Sequence, residues 1–222
     1  MAYRKISLLA AIIFSVPLIG CKATLETVVK ASDLENKEIK TVNGGIYIEV
    51  PSCHSSEDSR IPSESLIKVK DLVAGVFKDS SYSECFSKSM SSYASFVVPM
   101  YIDRTQDGKQ ESDSHFNIVT NKDSYLGVSI PKSISNEINA RMASYVGPQV
   151  SMQINIKLIN DTNSEIPVTI MSAYVDGAPS LLNPVKINKG GSPQISLSDV
   201  SVSQAMEKGF VNVLYNDAGT EK

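Results

Sequence analysis

The sequence predicts an α+β fold with mixed or antiparallel sheets, two main helices and a C-terminal half that is mostly β. Three observations predict it. Strand-like alternation of apolar and polar residues recurs along the chain. Two segments instead place their apolar residues at helical spacing. After Val150 the alternation dominates, which suggests a small β-sandwich in this half.

The first elements alternate between strand and helix. Apolar and polar residues alternate from Leu25 onward, which predicts a short strand. Residues 43–45, Asn-Gly-Gly, are a turn signal, and residues 46–50 have the β-rich alternation of a strand. A helix is predicted over 62–77, because its apolar residues recur every three or four positions.

The middle of the chain returns to strands and then to a second helix. Strands are predicted at 82–88 and 93–103. Residues 116–119 and 125–130 are predicted to pair as a hairpin. The second helix begins at Pro131, because apolar residues then follow at four-residue intervals.

The C-terminal elements are mostly strands. The strongest hairpin signal joins 150–158 to 166–172 through the polar turn 160–164, since both arms alternate cleanly. Further strands are predicted at 185–187, 194–197 and 210–215, with a short helix at 201–208.

The N-terminus has the pattern of an export signal. Arg4 and Lys5 precede an apolar run over 6–16, which is too short to span a bilayer core that needs about 20 residues. Residues 18–21, Leu-Ile-Gly-Cys, then resemble the lipobox of bacterial lipoproteins. An ordinary secretory signal with a coincidental cysteine is the alternative.

The resemblance implies a lipid anchor at Cys21. In that class the thiol receives a diacylglycerol, the signal is cut before the cysteine, and the new N-terminus is acylated, commonly with palmitate. Lys22 is not the aspartate that favours inner-membrane retention in Gram-negative lipoproteins, so the resemblance implies the periplasmic face of the outer membrane. We therefore divide the chain into a signal peptide (1–20), an α+β part (21–145) and a β-rich part (146–222), of which the last two could form one continuous domain.

Composition excludes some classes of function. Removal of the signal leaves 19 basic and 24 acidic residues, and this mildly acidic balance argues against a nucleic-acid partner. The predicted partners are the membrane, through the N-terminal lipid, and another envelope protein.

The cysteine count predicts one disulfide. With Cys21 lipidated, Cys53 and Cys85 remain, and an even number in an oxidising compartment indicates a bridge. The alternative is a zinc site of these cysteines with His54 and His115, but the spacing of zinc motifs is absent. We therefore expect neither a metal nor a cofactor.

No catalytic set is evident. His54 is expected in a loop and His115 on the surface, and no GxSxG motif accompanies them. Residues 103–114 resemble a calcium loop, but position 12 is Ser114 rather than glutamate. A non-enzymatic protein is therefore predicted.

Charged loops are the candidates for recognition. Glu57, Asp58 and Arg60 cluster beside Cys53, and Asp176 begins a second turn. They could form a recognition patch held by the disulfide, but pairing of the charges with each other is the favoured interpretation.

A second resemblance covers most of the mature chain. It links the protein to an uncharacterised lipoprotein family of enterobacteria and their prophages. The residues that carry it are Cys21-Lys-Ala, Glu49-Val-Pro-Ser-Cys53, Glu57-Asp-Ser-Arg60, Tyr93-Ala-Ser-Phe96, Asn160-Asp-Thr162 and Ser172-Ala-Tyr-Val-Asp-Gly-Ala-Pro179. The resemblance implies localisation and no activity, although a prophage origin would suit interference with superinfecting phage.

Two functions follow as hypotheses. The first is a lipid-anchored envelope protein with a protein-binding or structural role. The second is a periplasmic domain that binds or carries a small ligand or metal. A deep apolar pocket would favour the second, whereas a broad exposed patch around 54–60 or 176–179 would favour the first.

Overall fold

The computed structural model describes residues 22–36, 38–104, 114–145 and 151–216. This part of the chain contains eleven strands and four helices. In chain order they are β1 (Lys22–Lys30), α1 (Ala31–Glu35), β2 (Lys40–Val50), α2 (Glu64–Val76), β3 (Ser81–Lys88), β4 (Ser91–Arg104), β5 (Asn117–Thr120), β6 (Ser124–Ser129), α3 (Lys132–Tyr145), β7 (Ser151–Ile159), β8 (Ile166–Val175), β9 (Ala178–Ile187), β10 (Gln194–Leu197), α4 (Asp199–Lys208) and β11 (Phe210–Asn216).

The strands form one sheet that closes into a nine-stranded barrel. Around the barrel the order is β10, β7, β1, β2, β4, β5, β6, β11 and β8, and β8 pairs again with β10. β9 extends the sheet beyond β8, and β3 pairs with the first half of β4. The predicted α+β fold with two main helices and a sandwich is therefore wrong.

The reason for the error is pairing between distant parts of the chain. β1 runs parallel to β7 along its whole length, from Lys22 beside Ser151 to Lys30 beside Ile159. β11 pairs antiparallel with β6. The strands of 21–145 and those of 146–222 thus form two arcs of one sheet, which meet where β1 pairs with β7 and where β6 pairs with β11. The apolar and polar alternation along the sequence does not indicate which strands become neighbours.

The turn predicted at 43–45 is also wrong. β2 continues through these residues, and Gly44 lies between Thr27 on β1 and Val98 on β4. A Cβ on Gly44 would lie 2.6 Å from Met100 Sδ. The glycine therefore admits a buried side chain across the strand rather than a reversal of the chain.

The arms of the strongest predicted hairpin are both strands, but they do not pair with each other. β10 lies between them: Ile195 is opposite Ile156 of β7 and opposite Val175 of β8. At Ser172 the backbone has φ 52°, and here β8 changes its neighbour from β11 to β10. The alternation in the two arms correctly predicts two strands. It does not predict that β10, which comes later in the chain, lies between them.

Several local predictions are confirmed. α2 begins as predicted, because the Ser63 hydroxyl accepts a hydrogen bond of 3.1 Å from the Leu66 N–H and caps the helix. The hairpin of β5 and β6 and the helix after Pro131 also form. Among the described residues, no helix has the length and apolar character needed to cross a membrane.

The interior of the barrel is apolar and helices cover both ends. Ala23 and Leu25 of β1 pair with Ile48 and Ile46 of β2, so these four side chains share one face of the sheet, and all four are buried. At the far end of β1, α1 buries its own apolar side chains against the barrel. At the near end, α2, α3 and α4 pack on one another and leave a cleft above the strands.

Candidate functional site

One concave feature of the described structure is this cleft at the end of the barrel where β1 begins. It lies between the first residues of β1 and β7 on one side and helices α2, α3 and α4 on the other. Its volume is about 850 Å³. Small-molecule sites typically occupy ~300–1,000 Å³, so the cleft is large enough for a ligand.

The floor of the cleft is apolar. The strands contribute the inward face that also forms the barrel core, and the helices contribute their buried stripe. Met152 and Met206 are unbranched and can adjust to ligands of irregular shape. We define the floor as Ala23, Ile46, Ile48, Leu72, Phe77, Ile138, Met152, Val202 and Met206.

The rim of the cleft is polar and belongs to α3 and α4. Lys132, Asn136 and Asn139 recur at helical spacing, so they share one exposed face of α3. α4 presents acids and a hydroxyl in the same way. We define the rim as Lys132, Asn136, Asn139, Asp199, Ser203 and Glu207. A polar rim over an apolar floor fits an amphipathic ligand.

The predicted disulfide is confirmed. Cys53 and Cys85 are bonded, with 5.6 Å between their Cα atoms, and the bond joins the segment after β2 to β3. Val50 ends β2 next to the start of β1, so the bridge lies at the same end of the barrel as the cleft. The zinc site considered for these cysteines is therefore excluded.

The charged cluster beside the disulfide is paired internally. The Arg60 guanidinium donates to both carboxylate oxygens of Asp58, at 2.7 to 3.2 Å. These bonds hold the pKa of Asp58 below its usual range and raise that of Arg60. Both groups face water, so their pairing adds little to stability.

Asp176 is far from that cluster. It begins the turn between β8 and β9, and its carboxylate accepts a 2.9 Å hydrogen bond from the Gln194 N–H. Gln194 pairs with Lys157, which lies near the last residues of β1. The structure therefore does not bring Glu57, Asp58, Arg60 and Asp176 together as one patch.

The two histidines also lie apart. His54 is exposed in the loop after β2, as expected. His115, expected on the surface, is only 8% exposed and contacts the ring of Tyr101 edge-on. Its burial lowers its pKa, as does Lys78, while Asp79 acts in the opposite direction. In the described ranges, no three His, Cys, Asp or Glu side chains are placed to hold a metal ion.

The predicted signal peptide, 1–20, lies outside the described residues, and so do two further predicted features. One is Cys21, the proposed lipid site. The other is most of the calcium-like loop, 105–113. At its start, Asp103 is buried near the end of β4.

A second surface feature is an apolar patch on β8 and β9. We call Met171, Tyr174 and Leu182 the hairpin patch; these three side chains are 37%, 43% and 66% exposed. Met171 and Leu182 face each other across the strands. This patch adjoins the turn at 176–179, one of the two places where the sequence suggested a protein-binding surface.

The cleft was missed in the sequence because its walls come from six separate elements. One signal was present in α3. The polar residues at positions 132, 136 and 139 lie on one face of the helix. Of these three, Lys132 alone is charged. Such a stripe is typical of a solvent-exposed helix, so periodicity alone could not identify a binding site.

Comparison with known proteins identifies a family. A family model described as a domain of unknown function, DUF7424, matches residues 23–220. The match begins two residues after Cys21 and covers every described strand except the first residue of β1. No curated protein and no solved structure matches the chain.

Proposed function

The chain belongs to the DUF7424 family of unknown function, and we propose that it is a lipid-anchored envelope protein that binds a small amphipathic ligand. The cleft of about 850 Å³ with its apolar floor carries this proposal. Of the two hypotheses from the sequence, a cleft of this size with an apolar floor favours ligand binding. We propose no catalytic step.

The existing hydrogen bonds of the predicted recognition residues also favour ligand binding over protein binding. Asp58 and Arg60 satisfy each other, and Asp176 is used by the backbone of β10. These groups already have partners, so a protein partner would have to compete with existing bonds. The cleft, in contrast, presents apolar surface that a ligand could cover.

The anchor remains part of the proposal. Cys21 is the proposed lipid site, and Lys22 after it begins β1. A tether this short would hold the barrel end with the cleft close to the membrane. Two of the three chains implied by the lipobox already give stable anchoring. Lys22 favours the outer membrane as the location.

A second candidate function is supported by the hairpin patch. Three exposed large apolar side chains on adjacent strands are typical of a contact surface. A protein partner bound there would leave the cleft free. Replacement of Leu182 by lysine should then weaken the cross-linking of a specific envelope partner in cells; unchanged cross-linking would exclude this surface.

Ligand binding can be tested with the mature chain purified without detergent and with Cys21 replaced by serine. N-phenyl-1-naphthylamine, which fluoresces in apolar sites, is the probe. We expect saturable binding that Asn139→Trp weakens several-fold, because an indole at the rim blocks the opening. Ala140→Trp is the matched control, since Ala140 is also exposed on α3 but does not line the cleft.

Two outcomes would contradict the proposal. One is the absence of saturable probe binding by the folded protein. The other is equal binding by Asn139→Trp and Ala140→Trp, because the probe would then occupy another surface. The anchor is tested separately: Cys21→Ala should release the protein from membranes, and a variant that still fractionates with them would exclude the lipid.

A further inference from the structure

We infer that the ligand of the cleft is a fatty acyl chain, namely one of the chains carried by Cys21 of the same molecule. This inference rests on the proposed function and names its ligand. Three observations support it: the place where the described chain begins, the chemistry of the floor and rim, and the length of the tether.

The chain enters the described structure beside the cleft. Cys21 is separated from Ala23, a floor residue, by Lys22 alone. Across the parallel ladder, Lys22 and Ala23 pair with Ser151 and Met152, which also line the cleft. The described chain therefore begins at the edge of the cavity, so a lipid on the preceding residue, Cys21, would need no long linker to enter it.

The lining matches the two parts of such a lipid. The floor consists of hydrocarbon and thioether side chains, which suit a chain that makes no hydrogen bonds. The rim amides of Asn136 and Asn139 can donate to the carbonyl through which an acyl chain is linked. The rim carries one basic side chain, Lys132, and two acidic ones, Asp199 and Glu207. This mixture of charges does not favour a ligand with one particular charged head group.

The short tether favours the acyl chain of the same molecule as the occupant of the cleft. A ligand attached by so short a linker is present at an effective concentration on the order of millimolar, whatever its bulk concentration. Because two chains are enough for stable anchoring, the third can occupy the cleft while the protein stays on the membrane.

A photoreactive fatty acid tests the inference in cells. Cells that produce the full chain are fed a fatty acid with a diazirine at its end, which becomes part of the lipid on Cys21. After irradiation, the purified protein is digested and the cross-links are mapped by mass spectrometry. We expect cross-links within one molecule to peptides that contain Met152 or Met206. Asn139→Trp should reduce their yield several-fold, and Ala140→Trp should not.

The inference is overturned if the photoreactive chain on Cys21 reaches only membrane phospholipids, or if phospholipid chains in trans label the cleft instead. Absence of the photoreactive lipid from Cys21 overturns it as well. These results leave the binding of N-phenyl-1-naphthylamine by the unlipidated chain unaffected. Failure of that binding would instead contradict the proposed function itself.

Discussion

The Asn160 side chain joins several segments of the chain through hydrogen bonds. The residue follows β7 and is fully buried. Its amide nitrogen donates to the carbonyl oxygens of Ser164, Ile187 and Asn188, at 2.9 to 3.1 Å. Its amide oxygen accepts from the N–H of Thr162. The segment before β8 and the end of β9 are thus both joined to the residue that follows β7.

Replacement of Asn160 by alanine should therefore destabilise the protein strongly. The loss leaves buried carbonyls without a donor, and we expect a decrease of about 2 to 4 kcal/mol in the free energy of unfolding. Urea unfolding measures it. Asn163→Ala is the control, because Asn163 is exposed in the same turn and should change stability by less than about 0.5 kcal/mol. Equal effects of both variants would contradict this role.

The burial of His115 predicts a pH dependence. Its pKa is lowered in the folded state, so the unfolded chain binds the proton more readily. The stability from the neutral ring is complete above the ordinary pKa of 6.5 and is lost as the pH falls below it. Between pH 7 and pH 5 the wild type should lose more free energy of unfolding than His115→Gln. Equal losses, measured in urea, would show that the ring does not contribute.

At the scale of elements, β2 depends on the absence of a side chain at Gly44. The strand is central, with β1 on one edge and β4 on the other. Met100 is fully buried and lies against the position that a Cβ of Gly44 would occupy. The residue is therefore needed for packing, although Asn-Gly-Gly is also a typical turn sequence.

Gly44→Ala should accordingly cost about 1 to 3 kcal/mol, because the fully buried Met100 side chain would have to shift away from the new methyl group. A double-mutant cycle with Met100→Ala isolates the clash. Met100→Ala should cost less when Gly44 is already alanine, since the smaller side chain leaves room for the new methyl group. Strictly additive losses in urea unfolding would show that the two positions do not compete for space.

The elements that the sequence predicted correctly are those whose contacts are local. α2 has its own cap at Ser63, β5 and β6 are joined by a short turn, and the disulfide followed from the even number of cysteines. β7 and β8 also exist, but their pairing does not follow from the turn between them. β10 enters between them from about 20 residues further along the chain, and no short-range pattern encodes that.

At the scale of the whole molecule, strands from both predicted parts are needed to complete the barrel. β7 has β1 on one edge, and β11 has β6 on one edge. The cleft also needs both parts, because its floor takes Ile48 from one and Met152 from the other. Its position could not be predicted without the pairing, which is why the sequence suggested charged loops instead.

A fragment of residues 146–222 should therefore not fold on its own. It would lose β1 from the edge of β7 and β6 from the edge of β11, and its apolar strands would be exposed. We expect no cooperative transition in urea, whereas the mature chain should unfold cooperatively. A cooperative transition of the fragment would show that the C-terminal part is a separate domain.

The most direct measurement places a fluorophore in the floor. The chain contains no tryptophan, so Phe77→Trp introduces a single indole that lines the cleft, and Phe86→Trp on β3 is the control outside it. A brominated fatty acid quenches only indoles that it touches. If the cleft binds an acyl chain, the fatty acid should quench Phe77→Trp saturably and leave Phe86→Trp unchanged. Equal quenching of both, or none of Phe77→Trp, would contradict a ligand-binding cleft.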